Sequence, residues 1–247
     1  MTKKPLIVSV TSGKGGVGKT FVSINLAATL AKRGKKVLVV DCDLGLANID
    51  IMLGMNPQHT LQDVIFGKLE LKDVIIPTKG GFDLIPSSSG VREMAQLLLE
   101  KIELIKAMIL SFTDYDVILL DTGAGISEVV LQFNLLASKN IVVINRELTC
   151  LTDAYSMIKV MFQVFGREAF SIVVNSVNDE KEADRLFSHL DSICKKFLGF
   201  SLHNLGYIAV DDEVPKSILR QELIVLTEPT SRVAQNFRRI SETLLLR

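Results

Sequence analysis

This 247-residue sequence has no long apolar run, no net charge and only three cysteines. No apolar run reaches about 18 residues, so no transmembrane helix is predicted. The apolar stretch that follows residues 1–5 is too short for a signal peptide, and we expect a cytoplasmic protein. Lysine plus arginine and aspartate plus glutamate both total 28, so the chain has no global basic field for duplex DNA.

The few cysteines and tyrosines exclude further classes. Cys42, Cys150 and Cys194 are widely spaced, and this spacing encodes neither a disulfide framework nor a C-x-x-C metal or cluster site. The pattern argues against an iron–sulfur carrier or a nitrogenase-reductase-like protein, and we expect the cysteines to be buried as small hydrophobic residues. Three tyrosines without a C-terminal cluster argue against a bacterial tyrosine kinase.

Apolar runs alternate with helix-patterned segments along the chain, which is typical of βαβ units. We predict an α/β fold of the P-loop NTPase type, with a doubly wound, mostly parallel sheet of about seven or eight strands and helices on both faces. A single domain over residues 1–247 is the simplest account. The predicted strands are Leu6–Val10, Val37–Val40, Phe82–Ile85, Val117–Leu120, Ile141–Ile144, Phe170–Val174 and Leu205–Ala209.

Helical periodicity fills the segments between these strands, with Gly34 and Gly166 placed as C-terminal stops. A short lead, residues 1–5, precedes the first strand, and an amphipathic helix of about residues 231–246 follows the last. The other predicted helices are Lys19–Arg33, Val91–Ser111, Glu128–Ala137, Thr152–Phe165 and Asp179–Phe197.

A glycine-rich segment directly behind the first strand carries the strongest chemical signal. It reads Gly13-Lys14-Gly15-Gly16-Val17-Gly18-Lys19-Thr20 and fits the pattern G-x-x-x-x-G-K-[ST]. Glycines let successive backbone N–H groups point at phosphate oxygens, Lys19 supplies a positive charge, and the Thr20 hydroxyl is suited to Mg²⁺. The helix that begins near Lys19 adds its dipole. The segment therefore predicts a phosphate-binding loop.

Acidic and amide side chains follow several of the predicted strands, where ligands of open α/β sheets bind. Asp121 ends one apolar run, which would place a carboxylate near Mg²⁺ and its waters. Asp41 and Asp43 follow another run and share a direction, so that one or both approach the metal or the attacking water. The alternative for all three is that they only cap loops or helices. Asn145, Arg146 and Asn175 are the other residues in such positions.

Lys14 is a second lysine in the loop, and a simple phosphate cradle does not require it. From the residues alone, a solvated surface lysine is the default interpretation. The three histidines, His59, His189 and His203, are scattered and form no catalytic group with other residues.

Several segments resemble one family of ATPases. The segment Lys14–Thr20 is similar to the deviant Walker A motif of the MinD/ParA class, and Asp41-Cys42-Asp43-Leu44-Gly45-Leu46-Ala47-Asn48 resembles the MinD-like flagellar-number regulators, FlhG (also called FleN or YlxH). Asp121–Ser127 and Leu151–Tyr155 look like the same branch, and the similarity runs from about residue 5 to residue 245. The resemblance implies an ATPase that dimerises on ATP, with two ATP molecules between the subunits, and is reset by slow, partner-regulated hydrolysis.

The resemblance also implies a role for each matching residue. Lys14 would reach across the dimer to the partner's ATP, Lys19 would bind the β- and γ-phosphates, and Thr20 would ligate Mg²⁺. Asp43 would orient the hydrolytic water close to the metal, and Asp121 would hold Mg²⁺ through water. The implied cofactors are ATP and Mg²⁺. The remaining implied nucleotide contacts are the loop residues Gly13, Gly15, Gly16, Val17 and Gly18, the helix residue Phe21, and, around the adenine, Asn175, Ile208, Ala209, Val210 and Asp211.

The sequence departs from the family at several of these places. Relatives often have proline where this chain has Arg146, Leu148 and Ala209, and a small or polar residue in place of Phe21. Members of the FlhG branch commonly carry an N-terminal extension that stimulates a partner GTPase, whereas only about five residues precede the first strand here. Many also have a membrane-targeting helix beyond the core.

The terminal amphipathic segment has two interpretations. Val233, Phe237, Ile240 and Leu244 recur at helical spacing, with arginines elsewhere on the surface. Such a helix either packs its apolar stripe on the core, which we favour, or lies on an anionic membrane. We expect weak or absent membrane binding, at most peripheral and at the inner face of the cell membrane.

The function implied by the resemblance is an ATP-driven switch that regulates flagellar number or placement. Its partners would be a second copy of the chain and a regulatory protein, either a flagellar GTPase or a flagellar switch protein. The alternatives are a ParA-like DNA or cargo partitioning ATPase and division-site placement by MinD proper. Zero net charge argues against nucleic-acid binding. A third alternative is an ATP-dependent ligase related to dethiobiotin synthetase, but the sequence offers no further group of catalytic residues for that reaction.

Overall fold

The structure is a computed structural model that describes residues 4–43, 48–88 and 93–246. Where a predicted element includes residues 1–3, 44–47, 89–92 or 247, those residues lie outside the described ones. These include the start of the helix predicted from Val91 and four residues of the segment that follows Asp43. The strands are β1 (Leu6–Ser12), β2 (Val37–Cys42), β3 (Ile76–Pro77), β4 (Asp83–Ile85), β5 (Val117–Ala124), β6 (Lys139–Ile144), β7 (Phe170–Val177) and β8 (His203–Ala209).

The eight strands form one sheet in the order β3-β4-β2-β5-β1-β6-β7-β8. All neighbouring pairs are parallel except β3 and β4, which are antiparallel. The strand that precedes the glycine-rich loop, β1, is therefore held between β5 and β6 in the interior of the sheet. This confirms the predicted fold class and places the loop at the middle of the sheet's carboxyl edge.

Helices cover both faces of the sheet, and a 3₁₀ turn at Leu71–Val74 precedes β3. Gly166 directly follows one helix and Gly34 lies two residues beyond another, and both have positive φ angles, as predicted for C-terminal stops. The helices are α1 (Lys19–Lys32), α2 (Ile49–Met52), α3 (Leu61–Ile65), α4 (Glu93–Leu110), α5 (Glu128–Leu136), α6 (Leu148–Phe165), α7 (Glu180–Leu198), α8 (Glu213–Leu219), α9 (Ile224–Thr227) and α10 (Arg232–Leu246).

All seven predicted strands form, but several continue further than expected. Asp41 lies within β2, Asp121 within β5 and Asn175 within β7, whereas each was expected to follow its strand. Pairing explains the difference, since Asp41 and Asp121 are partners in the register of β2 and β5. Polar residues at these positions continue the backbone ladder although they end the apolar run. Helix α6 begins at Leu148 rather than at Thr152.

The core has two parts, one on each face of the sheet. Alternation along β2 sends Val37 and Val39 to the face covered by α1, and sends Leu38 and Cys42 to the opposite face. Cys42 therefore points away from the face that Asp41 shares with α1. All three cysteines are buried and unbonded, in agreement with the sequence-based expectation.

The terminal helix α10 packs its apolar stripe against the protein. Val233, Phe237, Ile240 and Leu244 are all between 0% and 1% exposed. The Phe237 ring lies edge-on to that of Phe21 in α1, with ring centroids 5.8 Å apart. The stripe is thus used for core packing, as favoured from the sequence. None of the helices in the described ranges combines the length and apolar character that a membrane span requires.

Helix α5 is fixed to the sheet by buried polar contacts near its carboxyl end. Asn134, which is 1% exposed, accepts a hydrogen bond from Ser9 of β1 at 2.7 Å. Its backbone carbonyl accepts another from Asn140 of β6 at 2.8 Å. The guanidinium of Arg167 donates to the Leu135 carbonyl at 3.0 Å. These contacts satisfy polar groups that would be costly to bury alone, and they hold the carboxyl half of the helix in place.

Candidate functional site

The glycine-rich loop connects β1 to α1 at the carboxyl edge of the sheet. Gly18 precedes α1 with a φ of 95°, a left-handed conformation that glycine adopts without strain. Lys19, the first residue of α1, is only 8% exposed. Burial lowers the pKa of Lys19, and the charges of Asp121 and Asp43 oppose this shift. The loop thus presents backbone N–H groups, a helix amino terminus and a nearly buried ammonium at one point, which is the chemistry of phosphate binding.

The first glycine of the loop packs tightly against the backbone of α6. A Cβ atom at Gly13 would lie 2.1 Å from the carbonyl carbon of Asp153, so no larger residue fits without moving the α6 backbone. Gly15 and Gly16, by contrast, have open space around them. One side of the loop is therefore buried against α6, and the other side is accessible.

Asp121 lies beneath the start of α1 and is 1% exposed. It accepts a hydrogen bond from the Ser23 hydroxyl at 2.8 Å and another from Thr20. Burial raises the pKa of Asp121 to about 6, against the effects of these two hydrogen bonds and of the Lys19 charge. The structure thus brings together Lys19, Thr20 and Asp121.

Asp41 is also buried, at 1% exposed, and it contacts described residues on either side of residues 44–47. Its carboxylate accepts the backbone N–H of Asp43 at 3.0 Å and also the backbone N–H of Ile49, the first residue of α2. Burial and the neighbouring Asp121 raise the pKa of Asp41 well above its ordinary value. Because its carboxylate accepts the backbone N–H of Asp43 directly, Asp41 fixes the position of that residue.

Asp43 faces Gly123, near the end of β5. Its Oδ1 atom lies 3.5 Å from where a Cβ atom would stand on Gly123, and its charge acts on Lys19. Asp43 and Asp121 thus lie on the same side of the loop as Lys19, and their arrangement suits a metal ion and a water molecule beside a bound phosphate.

Lys14 contacts α6 rather than the rest of the phosphate loop. Its ammonium forms an ion pair with Glu147 and lies 3.1 Å from the Thr149 hydroxyl oxygen. The hydrogen bond with Glu147 raises the pKa of Lys14, and the same contact lowers the pKa of Glu147. Lys14 is therefore directed towards the start of α6 within this chain.

The residues expected around an adenine lie on the other side of the loop. The Asn175 amide donates to the Val17 carbonyl at 2.8 Å, and a Cβ atom at Gly18 would lie 2.3 Å from the same nitrogen. Asn175 therefore braces the loop directly. Ile208 and Ala209 are buried at the end of β8, whereas Val210 is 45% exposed and Asp211 is half-buried. The Asp211 carboxylate accepts the backbone N–H of Glu213 at the start of α8.

A cavity of about 760 Å³ opens beside the loop, on the side of Asp43. Helix α8 reaches this cavity through Ile218, and the Gln221 side chain, just beyond α8, donates to the Ile51 carbonyl of α2 at 2.9 Å. Helix α8 thus connects the expected adenine side of the site to its acidic side. The side chains and glycines that line the cavity include Gly15, Gly16, Gly18, Lys19, Thr20, Phe21, Asp43, Asn48, Met52, Gly123, Val130 and Ile218.

Three residues of this site were missed from the sequence. Ser23 lies on the same face of α1 as Thr20, and the three-residue spacing between them was the sequence signal that could have placed Ser23 near Asp121. Glu147 precedes a helix whose start was placed four residues too late, so its meeting with Lys14 was hidden. Gln221 follows a helix that was not predicted, and no local pattern indicates its contact with α2.

Sequence comparison finds related proteins over most of the chain. A family model described as an AAA domain matches residues 6–167. The antiactivator FleN of Pseudomonas aeruginosa is 37% identical over 237 residues, which cover 96% of this chain and 85% of FleN. The flagellum site-determining protein YlxH of Helicobacter pylori is 30% identical over 247 residues, which cover 96% of this chain and 81% of YlxH.

Solved structures share the whole fold. The cell division ATPase MinD of Pyrococcus furiosus superposes with a TM-score of 0.83 at 28% identity, covering 100% of this chain and 99% of that one. The septum site-determining protein MinD of Pyrococcus horikoshii, complexed with Mg-ADP, gives a TM-score of 0.80 at 28% identity, covering 96% and 95% of the two chains.

Proposed function

Because the chain belongs to the MinD/ParA family of ATPases, we propose that it is an ATP-driven switch that regulates flagellar number or placement. The sheet and its helices act as one ATPase domain. The observation that carries the proposal is the convergence of Lys19, Thr20, Asp43 and Asp121 beside one cavity at the carboxyl edge of the sheet. A phosphate loop with two nearby carboxylates is the arrangement that nucleotide hydrolysis requires.

Each residue of the site has a role in this proposal. Backbone N–H groups of the loop and the Lys19 ammonium bind the β- and γ-phosphates and neutralise charge that develops during hydrolysis. Asp43, whose position is fixed by Asp41, orients the attacking water. Asn175 contacts the adenine while it braces Val17, and the segment 208–211 lies against the base.

The donor groups suit Mg²⁺, the ion bound with ADP in the Pyrococcus horikoshii relative. Asp41 and Asp121 are buried side by side, so their charges favour a nearby divalent cation, and the hydroxyl of Thr20 is a hard oxygen donor. In the part of the chain that the structure describes, no three acidic, histidine or cysteine side chains form a metal group by themselves. This suits an ion that shares its ligands with phosphate and water. When bound, Mg²⁺ supplies charge neutralisation to the phosphates.

The ATP-bound protein is a homodimer in this proposal, and Lys14 reaches the partner's ATP. Support comes from large apolar side chains exposed in segments that follow the strands of the sheet. Ile126, between β5 and α5, is 52% exposed, Leu148, the first residue of α6, is 82% exposed, and Leu219, the last residue of α8, is 83% exposed. The open surface at Gly15 and Gly16 allows a second subunit to approach the loop closely.

The output of the switch is contact with a regulatory protein. The names of FleN and YlxH, an antiactivator and a flagellum site-determining protein, favour a flagellar target. A flagellar GTPase and a flagellar switch protein are the two candidates that we expect. The burial of the α10 stripe supports weak or absent membrane binding through this helix.

A second function, placement of the division site, is favoured by the superposition on MinD. The two functions are separated by expressing the chain in Pseudomonas aeruginosa that lacks FleN. Restored flagellar number, counted by electron microscopy, supports the flagellar role. Unchanged flagella together with misplaced septa would favour division-site placement instead.

The switch itself is tested by light scattering after size-exclusion chromatography. We expect the parent protein to be monomeric with ADP. The Asp43→Ala protein, which binds ATP without hydrolysing it in this proposal, is expected to be dimeric with ATP and Mg²⁺. A monomer under both conditions would overturn the proposed dimer.

A further inference from the structure

The hydroxyl of Ser23 is the contact of Asp121 that no role above explains. Ser23 is 0% exposed and lies on α1, three residues beyond Thr20, so both hydroxyls point to the same face of the helix. Both of them donate to the Asp121 carboxylate. A single buried carboxylate is thus held by two hydroxyls from one helix.

The two hydroxyls differ in what else they do once the site is loaded. In the proposed function, on which this inference rests, the Thr20 oxygen ligates Mg²⁺ through a lone pair while its proton is still donated to Asp121, whereas the Ser23 hydroxyl has only the Asp121 contact. Asp121 is 1% exposed, and a buried carboxylate that loses a hydrogen bond is free to turn away from the metal's waters. The Ser23 contact, at 2.8 Å, lies one helical turn further from the loop and need not change.

We propose that Ser23 is a positioning residue that, together with Thr20, keeps the Asp121 carboxylate aligned towards Mg²⁺. Ser23 contacts neither nucleotide nor metal and acts only through Asp121. Its effect therefore falls on the affinity for Mg²⁺, because removal of a partner that orients a metal-site carboxylate typically weakens metal binding by about tenfold or more. Nucleotide affinity without metal is unaffected.

The test is a Mg²⁺ titration of the full chain in the presence of a fluorescent ATP analogue. For Ser23→Ala we expect the Mg²⁺ concentration at half-saturation to rise about tenfold. Binding of the analogue in EDTA is expected to match that of the parent. Equal half-saturation in parent and Ser23→Ala would overturn the proposal, whereas a parent that binds no nucleotide at all would overturn the proposed function instead.

Two further variants separate positioning from general packing. Thr29→Ala removes another nearly buried hydroxyl of α1, which donates to the Asn25 carbonyl at 2.7 Å and does not contact Asp121, so it should leave the Mg²⁺ response unchanged. Ser23→Cys keeps the volume of the side chain with a weaker donor. It is expected to show the same defect as Ser23→Ala, and it serves if the alanine variant does not fold.

A double-mutant cycle completes the test. If Ser23 acts through Asp121, then Ser23→Ala adds no further loss of Mg²⁺ affinity to the Asp121→Asn protein. Additive losses in the two variants would contradict the proposed route through Asp121.

Discussion

The ammonium of Lys14 forms an ion pair with Glu147, the residue that directly precedes α6 of the same chain. In the proposed dimer this ammonium instead contacts the ATP of the partner subunit, so the two contacts exclude one another. The intramolecular ion pair therefore opposes dimerisation by holding Lys14 within its own subunit.

The first prediction concerns this competition. Glu147→Gln removes the charge that holds Lys14, and we expect dimerisation to need roughly two- to fivefold less ATP, the modest change typical of an exposed pair. Light scattering across an ATP titration measures the effect. Glu168→Gln, which changes an exposed glutamate beyond the other end of α6, is the matched control. An unchanged or raised ATP requirement in Glu147→Gln would count against the competition.

The second prediction concerns Gly13, where the loop packs against α6. Gly13→Ala places a methyl group 2.1 Å from the Asp153 carbonyl carbon, which α6 must move to accommodate. We expect a loss of about 1–3 kcal/mol in the free energy of unfolding, together with weaker nucleotide binding. Gly15→Ala meets open space and should change stability far less. Thermal unfolding of both variants provides the measurement, and equal melting temperatures would contradict the proposed clash.

The third prediction follows from the raised pKa of Asp121, about 6 in the folded protein. An unfolded aspartate titrates near pH 4, so between these pH values the folded state binds more protons than the unfolded state. The free energy of unfolding of the nucleotide-free protein should therefore fall as the pH rises from about 4 to 6. Asp121→Asn lacks this titration, and the stability difference between parent and variant should change with pH in that range. A constant difference would refute the expectation.

The fourth prediction concerns Asn175, which braces Val17 and is proposed to contact adenine. Asn175→Ala should weaken ATP binding and reduce the preference for ATP over GTP, by about the factor of five to ten that one hydrogen bond provides. Competition between the two nucleotides for the protein measures both effects. Asn204→Ala alters an exposed asparagine on β8 and serves as the control. Equal weakening for ATP and GTP would leave Asn175 only its bracing role.

The fold and the phosphate loop could be predicted from the sequence because both depend on local patterns. Apolar runs set the strands, and the spacing of Gly13, Gly18, Lys19 and Thr20 sets the loop. The ends of the strands were harder to predict, because the pairing of Asp41 with Asp121 joins residues that are far apart in the chain. A carboxylate inside an apolar sheet interrupts the pattern without interrupting the strand.

Short elements and long-range contacts account for the other differences. Helices α2, α8 and α9 have between four and seven residues, too few to establish a helical period. The acceptor role of Asp41 towards the N–H groups of Asp43 and Ile49 depends on backbone positions that composition does not specify. The same is true of Gln221, which meets Ile51 across 170 residues of chain.

The anchoring of α5 has a mechanical consequence. Asn134 and Arg167 fix one end of the helix to the interior, while the other end, at Glu128, borders the nucleotide cavity. The amino-terminal end of the helix therefore has fewer buried polar anchors than its carboxyl-terminal end. A small displacement of Ser127, which precedes the helix and lines the cavity, would tilt the outer surface of the helix, where Gln132 accepts a hydrogen bond from Lys106 of α4, and leave the sheet in place. We therefore expect a change at the cavity to reach the surface that α4 and α5 form together.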